Sequence, residues 1–452
     1  MARCCLPWEA GDKGRKLPLI RAGQPGLATA LIGRLPFFYG WVILACACCA
    51  GFARQGPAVA TLSIFVAPMT GDFGWSRTEL SGAVSLGGVM AALASPLIGP
   101  VLDRQGARVM LCAAVLVTGV SCMLLSLTQS LLTFYAFFCI ARMNFAGPFD
   151  IGIFGALNSW FVQRRAIANA IVNLAHMGGL VALPLIAHMA IAGHGWRAGW
   201  LAVGATVLLV GFVPSWLFMV RRPEDVGLVP DGRPLVAPAP EPGSAAPRIP
   251  VAEPAFTRSE ALRTPAFWLL SLYTMAVYPV QAGISLHQAP HLIERGLSAA
   301  SAATIVSTFS FTAAVAGLGF GLVTRRIGVR AALALPGLAL GASALLMLGI
   351  ATPAEGYAAA GCFGIGIGGI LTVLPLAWAD YFGRASFGAI RGVALTMQVT
   401  AQAAGPLISG LLRDLYGSYA VPLACFAALS FASVLLALLA RAPRPPRAAQ
   451  AP

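Results

Sequence analysis

Gly99-Pro-Val-Leu-Asp103-Arg104-Gln-Gly106-Ala-Arg108 is the charged interruption between two long apolar runs, roughly residues 80–102 and 109–128. A short turn of this composition has a physical logic. Gly106 permits a tight reversal because it carries no Cβ. Arg104 and Arg108 suit the head groups on one side of a bilayer. Asp103 can accept hydrogen bonds from the N-terminus of a neighbouring helix, where the dipole favours an anion.

The stretch has an echo 222 residues later, Gly321-Leu-Val-Thr-Arg325-Arg326-Ile-Gly328-Val-Arg330. At that offset Gly99, Arg104, Gly106 and Arg108 fall on Gly321, Arg326, Gly328 and Arg330. Ala67-Pro68 falls on Ala289-Pro290, Gly74 on Gly296 and Ser76 on Ser298, while Phe161 and Phe382 match one residue off. An offset held across most of a half-chain indicates an internal duplication. Two parallel membrane halves enclosing a midplane site are one transporter architecture.

This turn resembles the loop 2–3 signature of the major facilitator superfamily, G-x-x-x-D-R-x-G-x-R, and the resemblance covers residues from about 38 to 440. It implies an all-α membrane protein with twelve transmembrane helices in two six-helix pseudo-repeats. It also implies a gating role for Gly99, Asp103, Arg104, Gly106 and Arg108.

Composition agrees with a membrane protein. The chain has 452 residues, 58% hydrophobic and 10% charged, against about 25% charged in soluble domains. Apolar runs of about 20 residues read as membrane helices. A net charge of +14 does not point to nucleic acid, because the basic residues sit at helix ends rather than among aromatics. Most cysteines, among them Cys46, Cys112, Cys122 and Cys362, lie inside apolar runs, where they act as small hydrophobes. The C-x-x-C spacing of Cys46 and Cys49 lies inside an apolar run with no second such pair, and no phosphate-binding G-x-x-x-x-G-K-[ST] motif appears, so the sequence implies no metal, cofactor or ATP motor.

The expected layout is a cytoplasmic tail at 1–38, a six-helix half at 39–220, a linker at 221–264, a second half at 265–440 and a tail at 441–452. The expected spans are 39–66, 80–102, 107–128, 131–155, 165–191, 197–220, 265–287, 300–323, 329–350, 356–380, 389–412 and 416–440. The tail has no leader-like pattern. The linker is rich in Pro and charge and reads as flexible. With the N-terminus inside, 24 of the 30 Lys and Arg fall on the inner side, Arg384 and Arg391 among them, and four outside. The positive-inside rule then makes both termini cytoplasmic, in a plasma (inner) membrane.

A second signal is Trp160-Phe161-Val-Gln-Arg164-Arg165-Ala-Ile167-Ala168. It resembles the monocarboxylate porter pattern Y-F-x-K-R-R-x-L-A-x-G, with departures at Trp160, Gln163, Ala166 and Ala170. Tyr39-Gly40-Trp41-Val42 is similar to that family's entry to helix one. Physically, Arg164 and Arg165 read as ordinary positive-inside anchors.

Intramembrane ionisable residues are costly unless solvated or paired, and so mark function. Arg54 lies in helix one beside Gly51, Gly56 and Pro57, which suggest a loosened helix lining a cavity. Arg142 and Asp150 lie in helix four, and His176 in helix five. Each has a structural alternative: Arg54 snorkels outward, Arg142 makes a packing pair, and His176 simply packs. Arg142 and Asp150 stand about 12 Å apart on an unbroken helix, too far to pair. Asp150 is expected to meet Arg108, as the superfamily's helix-four acid does.

A carboxylate substrate calls for a guanidinium, which offers two parallel donors and stays charged. Arg54 and Arg142 are therefore the expected anion ligands, with Asn144 and Tyr278 as neighbours. The family's cavity helices 1, 4, 7 and 10 also carry Gln55, Tyr273, Gln281 and Trp378. The family's helix-eight Asp and Arg are replaced here by Ala313 and Gly317, and its helix-one Lys by Ala58. The resulting expectation is a monomeric secondary transporter of a small, monocarboxylate-like organic anion, with or without protons. A proton/drug antiporter and a non-transporting membrane sensor are the alternatives.

Overall fold

The computed structural model describes residues 26–32, 34–75, 77–232 and 254–444. Most of the N-terminal tail, Ser76, the linker segment 233–253 and residues 445–452 lie outside the described residues. The described chain is helical: α1 (Gly26–Ile32), α2 (Gly40–Ala53), α3 (Val59–Phe73), α4 (Arg77–Gln105), α5 (Ala107–Leu124), α6 (Leu131–Ala146), α7 (Pro148–Trp160), α8 (Arg165–Val207) and α9 (Val213–Phe218), then α10 (Arg258–Leu262), α11 (Pro265–Glu294), α12 (Ala299–Ile327), α13 (Val329–Leu348), α14 (Pro353–Phe382), α15 (Phe387–Tyr416) and α16 (Ala420–Leu439).

Nine of the described helical stretches are long and apolar enough to cross a membrane. One of them, Arg165–Phe218, has 54 residues, far more than one crossing needs. Gly195, at φ +80°, breaks it into two spans. The first span is broken into the shorter helices α2 and α3, and α15 is less apolar because it carries Arg391, Gln398, Gln402 and Arg413. With these restored the layout is the twelve-span one.

The break in helix one falls at Arg54–Pro57, where Ala58 is extended (φ −67°, ψ 154°) and α3 restarts, running on to Phe73 rather than ending near 66. Helix four breaks at Gly147 (φ −112°, ψ −89°), and Pro148, with no N–H to satisfy, opens α7.

Large apolar side chains point outward, Leu97 at 76% exposure and Leu132 at 80%. That is the pattern of a surface meant for lipid. Small residues bring the halves together. A Cβ on Gly99 of α4 would stand 2.1 Å from the Gly388 carbonyl of α15, so only glycine fits. In the second half, Gly321 of α12 meets the Ala166 carbonyl and the Ala170 side chain of α8 in the same way. Gly388 lies 222 residues after Ala166, so the duplication repeats the contact as well as the sequence.

The linker is not flexible along its whole length. Asp231 accepts from the backbone N–H of Val162 (3.0 Å) and Gln163 (2.7 Å), and Arg221 donates to the Asp103 carbonyl at 3.0 Å. At its far end the Phe256 N–H donates to the Phe382 carbonyl and the two rings meet edge to face. Short polar and aromatic anchors hold what a composition average reads as loose. The end of the tail is likewise ordered, with Ala28 of α1 buried.

Candidate functional site

Both helix breaks face one place. Asp150, in the first turn of α7, lies 3.6 Å from Arg54 Nη1 and 3.2 Å from Arg391 Nη2. The N-terminus of α7 adds its own favourable dipole to that carboxylate. Arg391 of α15 also donates to Gln398 Oε1 at 2.7 Å. Its side chain is 2% exposed, yet its Nε and Nη1 have no hydrogen-bond partner. Arg142 of α6 stands over the Phe145 ring at 4.2 Å and Arg54 over the same ring at 4.6 Å. Arg142 reaches the Pro57 carbonyl only at 3.5 Å, and the Nε of both Arg54 and Arg142 is buried without a partner. Gly87 of α4 makes room for Arg142, since a Cβ there would meet its Cβ at 2.6 Å.

Of the residues named from sequence, Arg54, Arg142 and Asp150 come together. Tyr278 of α11, 6% exposed, lies within electrostatic reach of Asp150, Arg391 and Arg54. Asn144 turns its amide onto the Ile140 carbonyl of its own helix at 3.0 Å. Tyr273 donates to the Leu333 carbonyl, Gln281 pairs with Gln402, and Trp378 stacks on Phe382. His176 packs on Phe154 and on the space left by Gly51, with Nε2 unpartnered.

Three expectations are corrected. Asp150 does not meet Arg108, whose guanidinium lies over Trp216 and donates to the Trp216 carbonyl at 3.1 Å. Arg54, expected either to hold an anionic ligand or to snorkel outward, is paired with a protein acid, Asp150 of helix four. Arg391 is no inner-loop charge but a buried member of the cluster. Sequence reasoning missed it because it falls near the start of its helix, where a positive-inside anchor is the default reading. Arg165 is mistaken for an anchor in the same way. It is 2% exposed and bonds Asp380 of α14 at 3.2 Å and the Asn158 carbonyl at 3.0 Å.

The second group of residues sits at the end of the bundle that carries the Asp103 turn. There Asp103 caps α15, accepting from the N–H of Gly388 (2.9 Å) and of Ala389 (2.8 Å). Arg384 donates to the Ser159 carbonyl at 3.0 Å and pairs with Glu224. Further in, Asn173 donates to the Leu371 carbonyl and Thr396 to the Ala92 carbonyl. These bonds cross between the halves, so the bundle is closed at this end. At the opposite end the described ion pairs Asp72–Arg197 and Glu294–Arg413 each stay within one half. Gly106 turns the chain at φ +86° beneath Arg221, and Arg104 ends α4 exposed. The two aromatic stretches noted in sequence also meet here, Trp160 with Tyr39 and Phe161 with Trp41.

A family profile described as Major Facilitator Superfamily matches residues 43–289, more than half of the chain. The chain belongs to the Major Facilitator Superfamily. Its fold matches the crystal structure of a superfamily transporter, FucP, in the outward conformation, with a TM-score of 0.66 at 12% identity, covering 88% of this chain and 99% of that one. It is 26% identical over 242 residues to the membrane sensor protein UhpC of Salmonella typhimurium, covering 52% of this chain and 53% of the relative. It is 24% identical over 253 residues to the oxalate:formate antiporter of Oxalobacter formigenes (55% and 53%), and 24% over 209 residues to human monocarboxylate transporter 6 (45% and 39%). The chain thus spans about half the length, or less, of the curated relatives it matches.

If the protein works by rocking its halves, the Asp103 cap would have to break whenever the turn end opened. Asp103→Asn keeps the shape but loses the charge that the α15 dipole favours, an effect of about 0.3–1 kcal/mol, and one of the two acceptors, since an amide nitrogen cannot accept from a backbone N–H. Transport is expected to slow several-fold while equilibrium ligand binding stays within about threefold, since α4 carries the turn well away from the Arg–Asp cluster. Abolished binding in a folded Asp103→Asn protein would contradict the gating role.

Proposed function

We propose that the protein is a secondary transporter, not an enzyme, and that it moves a small organic carboxylate by alternating access. The observation that carries this reading is the buried cluster itself. Two guanidiniums, of Arg54 and Arg391, share one carboxylate, a third, of Arg142, stands beside Arg54 on the Phe145 ring, and four of their N–H-bearing nitrogens are buried without partners. Buried charge persists only where water, a protein acid or a ligand compensates it. An anionic substrate supplies both the charge and the acceptors, and arginine suits a carboxylate's bidentate geometry. The sequence resemblance to monocarboxylate porters and the likeness to two organic-anion carriers point to the same substrate class. Asp103, Gly99, Arg104, Gly106 and Arg108 form the gate at the turn end, and Asp150 belongs to the binding cluster.

The membrane sensor reading stays as the second, because one relative bears that name. Uptake of labelled organic acids into proteoliposomes, with and without a pH gradient, separates the two. Carboxylate uptake above that of protein-free vesicles supports a transporter, and stimulation by an inward acid gradient adds proton coupling. Saturable binding without uptake would mean a sensor.

On the same reading the turn end is cytoplasmic, which the arginine distribution supports. A cysteine placed at position 240, in a background lacking reactive native thiols, is expected to react with an impermeant maleimide only after the cells are opened. Labelling of intact cells would reverse the orientation.

A further inference from the structure

Two like charges stand side by side in the first half. The Arg54 and Arg142 guanidiniums lie within electrostatic reach of each other. Asp150 answers Arg54 at 3.6 Å, but the described contacts of Arg142 are the Phe145 ring and the Pro57 carbonyl at 3.5 Å. Like charges repel strongly where water is scarce, and such a pair separates unless something holds it.

Phe145 is shared by both. Its ring centroid lies 4.2 Å from the Arg142 guanidinium and 4.6 Å from that of Arg54. The face of an aromatic ring carries partial negative charge and attracts a cation over it, most strongly when the pair is desolvated. The placement follows from the sequence. Phe145 comes three residues after Arg142, so the two share a face of α6. It stands two residues before the break at Gly147, and Arg54 stands at the break in helix one. The ring therefore ties together the two breaks that form the site.

Resting on the organic-anion reading above, we infer that Phe145 is a positioning residue, whose ring holds the Arg54 and Arg142 guanidiniums together so that one ligand carboxylate meets both. A guanidinium that lays its face on a ring keeps its N–H edge for a ligand, and the Nε of each is buried without a protein partner. All three residues belong to the first half, so rocking of the halves leaves the arrangement intact. Its loss reads in affinity rather than in maximal rate.

The test is binding and proteoliposome uptake of labelled formate, acetate, lactate and oxalate by the full-length protein near neutral pH. Phe145→Leu keeps the apolar bulk and removes the ring face. It should weaken the best-bound probe at least about tenfold, as loss of two desolvated cation–π contacts implies. The maximal rate should stay within about twofold, the split expected when binding alone is lost. Phe145→Tyr, which keeps a ring face, should bind within about threefold of the parent. Mono-, di- and trifluorophenylalanine at position 145 drain the ring's negative face with little change of shape, and should weaken binding stepwise. In an Arg142→Gln background Phe145→Leu should cost no more than about threefold, because the ring then has only Arg54 to hold and Asp150 holds it too. A ring that merely fills space gives a different pattern: Phe145→Leu lowers the unfolding midpoint, and fluorination leaves affinity unchanged. Affinity independent of fluorination, or unchanged in Phe145→Leu, would overturn the inference while uptake by the parent keeps the organic-anion reading standing. If Phe145→Leu does not fold, the fluorinated series decides alone. Failure of all four probes to bind the parent would overturn both.

Discussion

Asp150→Ala is expected to destabilise the purified protein by about 3–5 kcal/mol, the cost of stripping one partner from a buried ion pair. Asp150 is 7% exposed and contacts both Arg54 and Arg391. Without it, three guanidiniums face one another with no protein acid among the described residues. The loss should read as a large fall in the unfolding midpoint in detergent, or as failure to accumulate in the membrane. Two accompanying results tie the loss to charge rather than to packing. Asp150→Ala with Arg391→Gln should recover at least half of it, because the second change removes one of the abandoned charges, and neighbouring residues of this kind couple strongly. A carboxylate ligand at saturating concentration should raise the midpoint of Asp150→Ala more than that of the parent. A single variant as stable as the parent would mean that water already screens the cluster, and the argument from buried charge would fall.

The frame of the molecule is readable from short sequence signals, because each is a local backbone requirement. Gly106 stands where a positive φ is needed, and the same glycine recurs at Gly328. Pro57, flanked by Gly56 and Ala58, announces the break that the structure shows at Arg54–Pro57. Long apolar runs announce spans. The cluster is less readable, because it depends on how far two breaks displace side chains. On an unbroken helix four, Asp150 would point elsewhere. The reset at Gly147–Pro148 brings it to Arg54 across helices. Arg391 and Arg165 are invisible for a different reason. Both lie near the start of a helix, where the head-group reading and the buried reading share one sequence. Only the neighbours, Asp150 for one and Asp380 for the other, decide between them.

Arg142→Gln is expected to lose the most ligand affinity of any single change in the site. Arg54 keeps Asp150 at 3.6 Å and Arg391 keeps it at 3.2 Å. Arg142 has a ring face at 4.2 Å and one long contact to the Pro57 carbonyl. Of the three guanidiniums it is the one whose charge no described carboxylate answers, so an anionic ligand has most to offer it. Removing one partner of a desolvated charge-assisted contact costs about 2–5 kcal/mol, or roughly 30-fold to several-thousand-fold in affinity. Arg142→Gln should fall in that range. Arg54→Gln should lose less, since part of the Arg54 charge is already spent on Asp150. Arg142→Lys should recover only part of the binding, because an ammonium lacks the planar fork and cannot cover the Phe145 ring as a guanidinium does. Equilibrium binding and counterflow with purified variants, their folding checked by thermal unfolding, give the order of the three. If the glutamine variants at 54 and 142 bind and exchange ligand like the parent, the arginines serve packing against Phe145, and the organic-anion assignment loses its residue-level support.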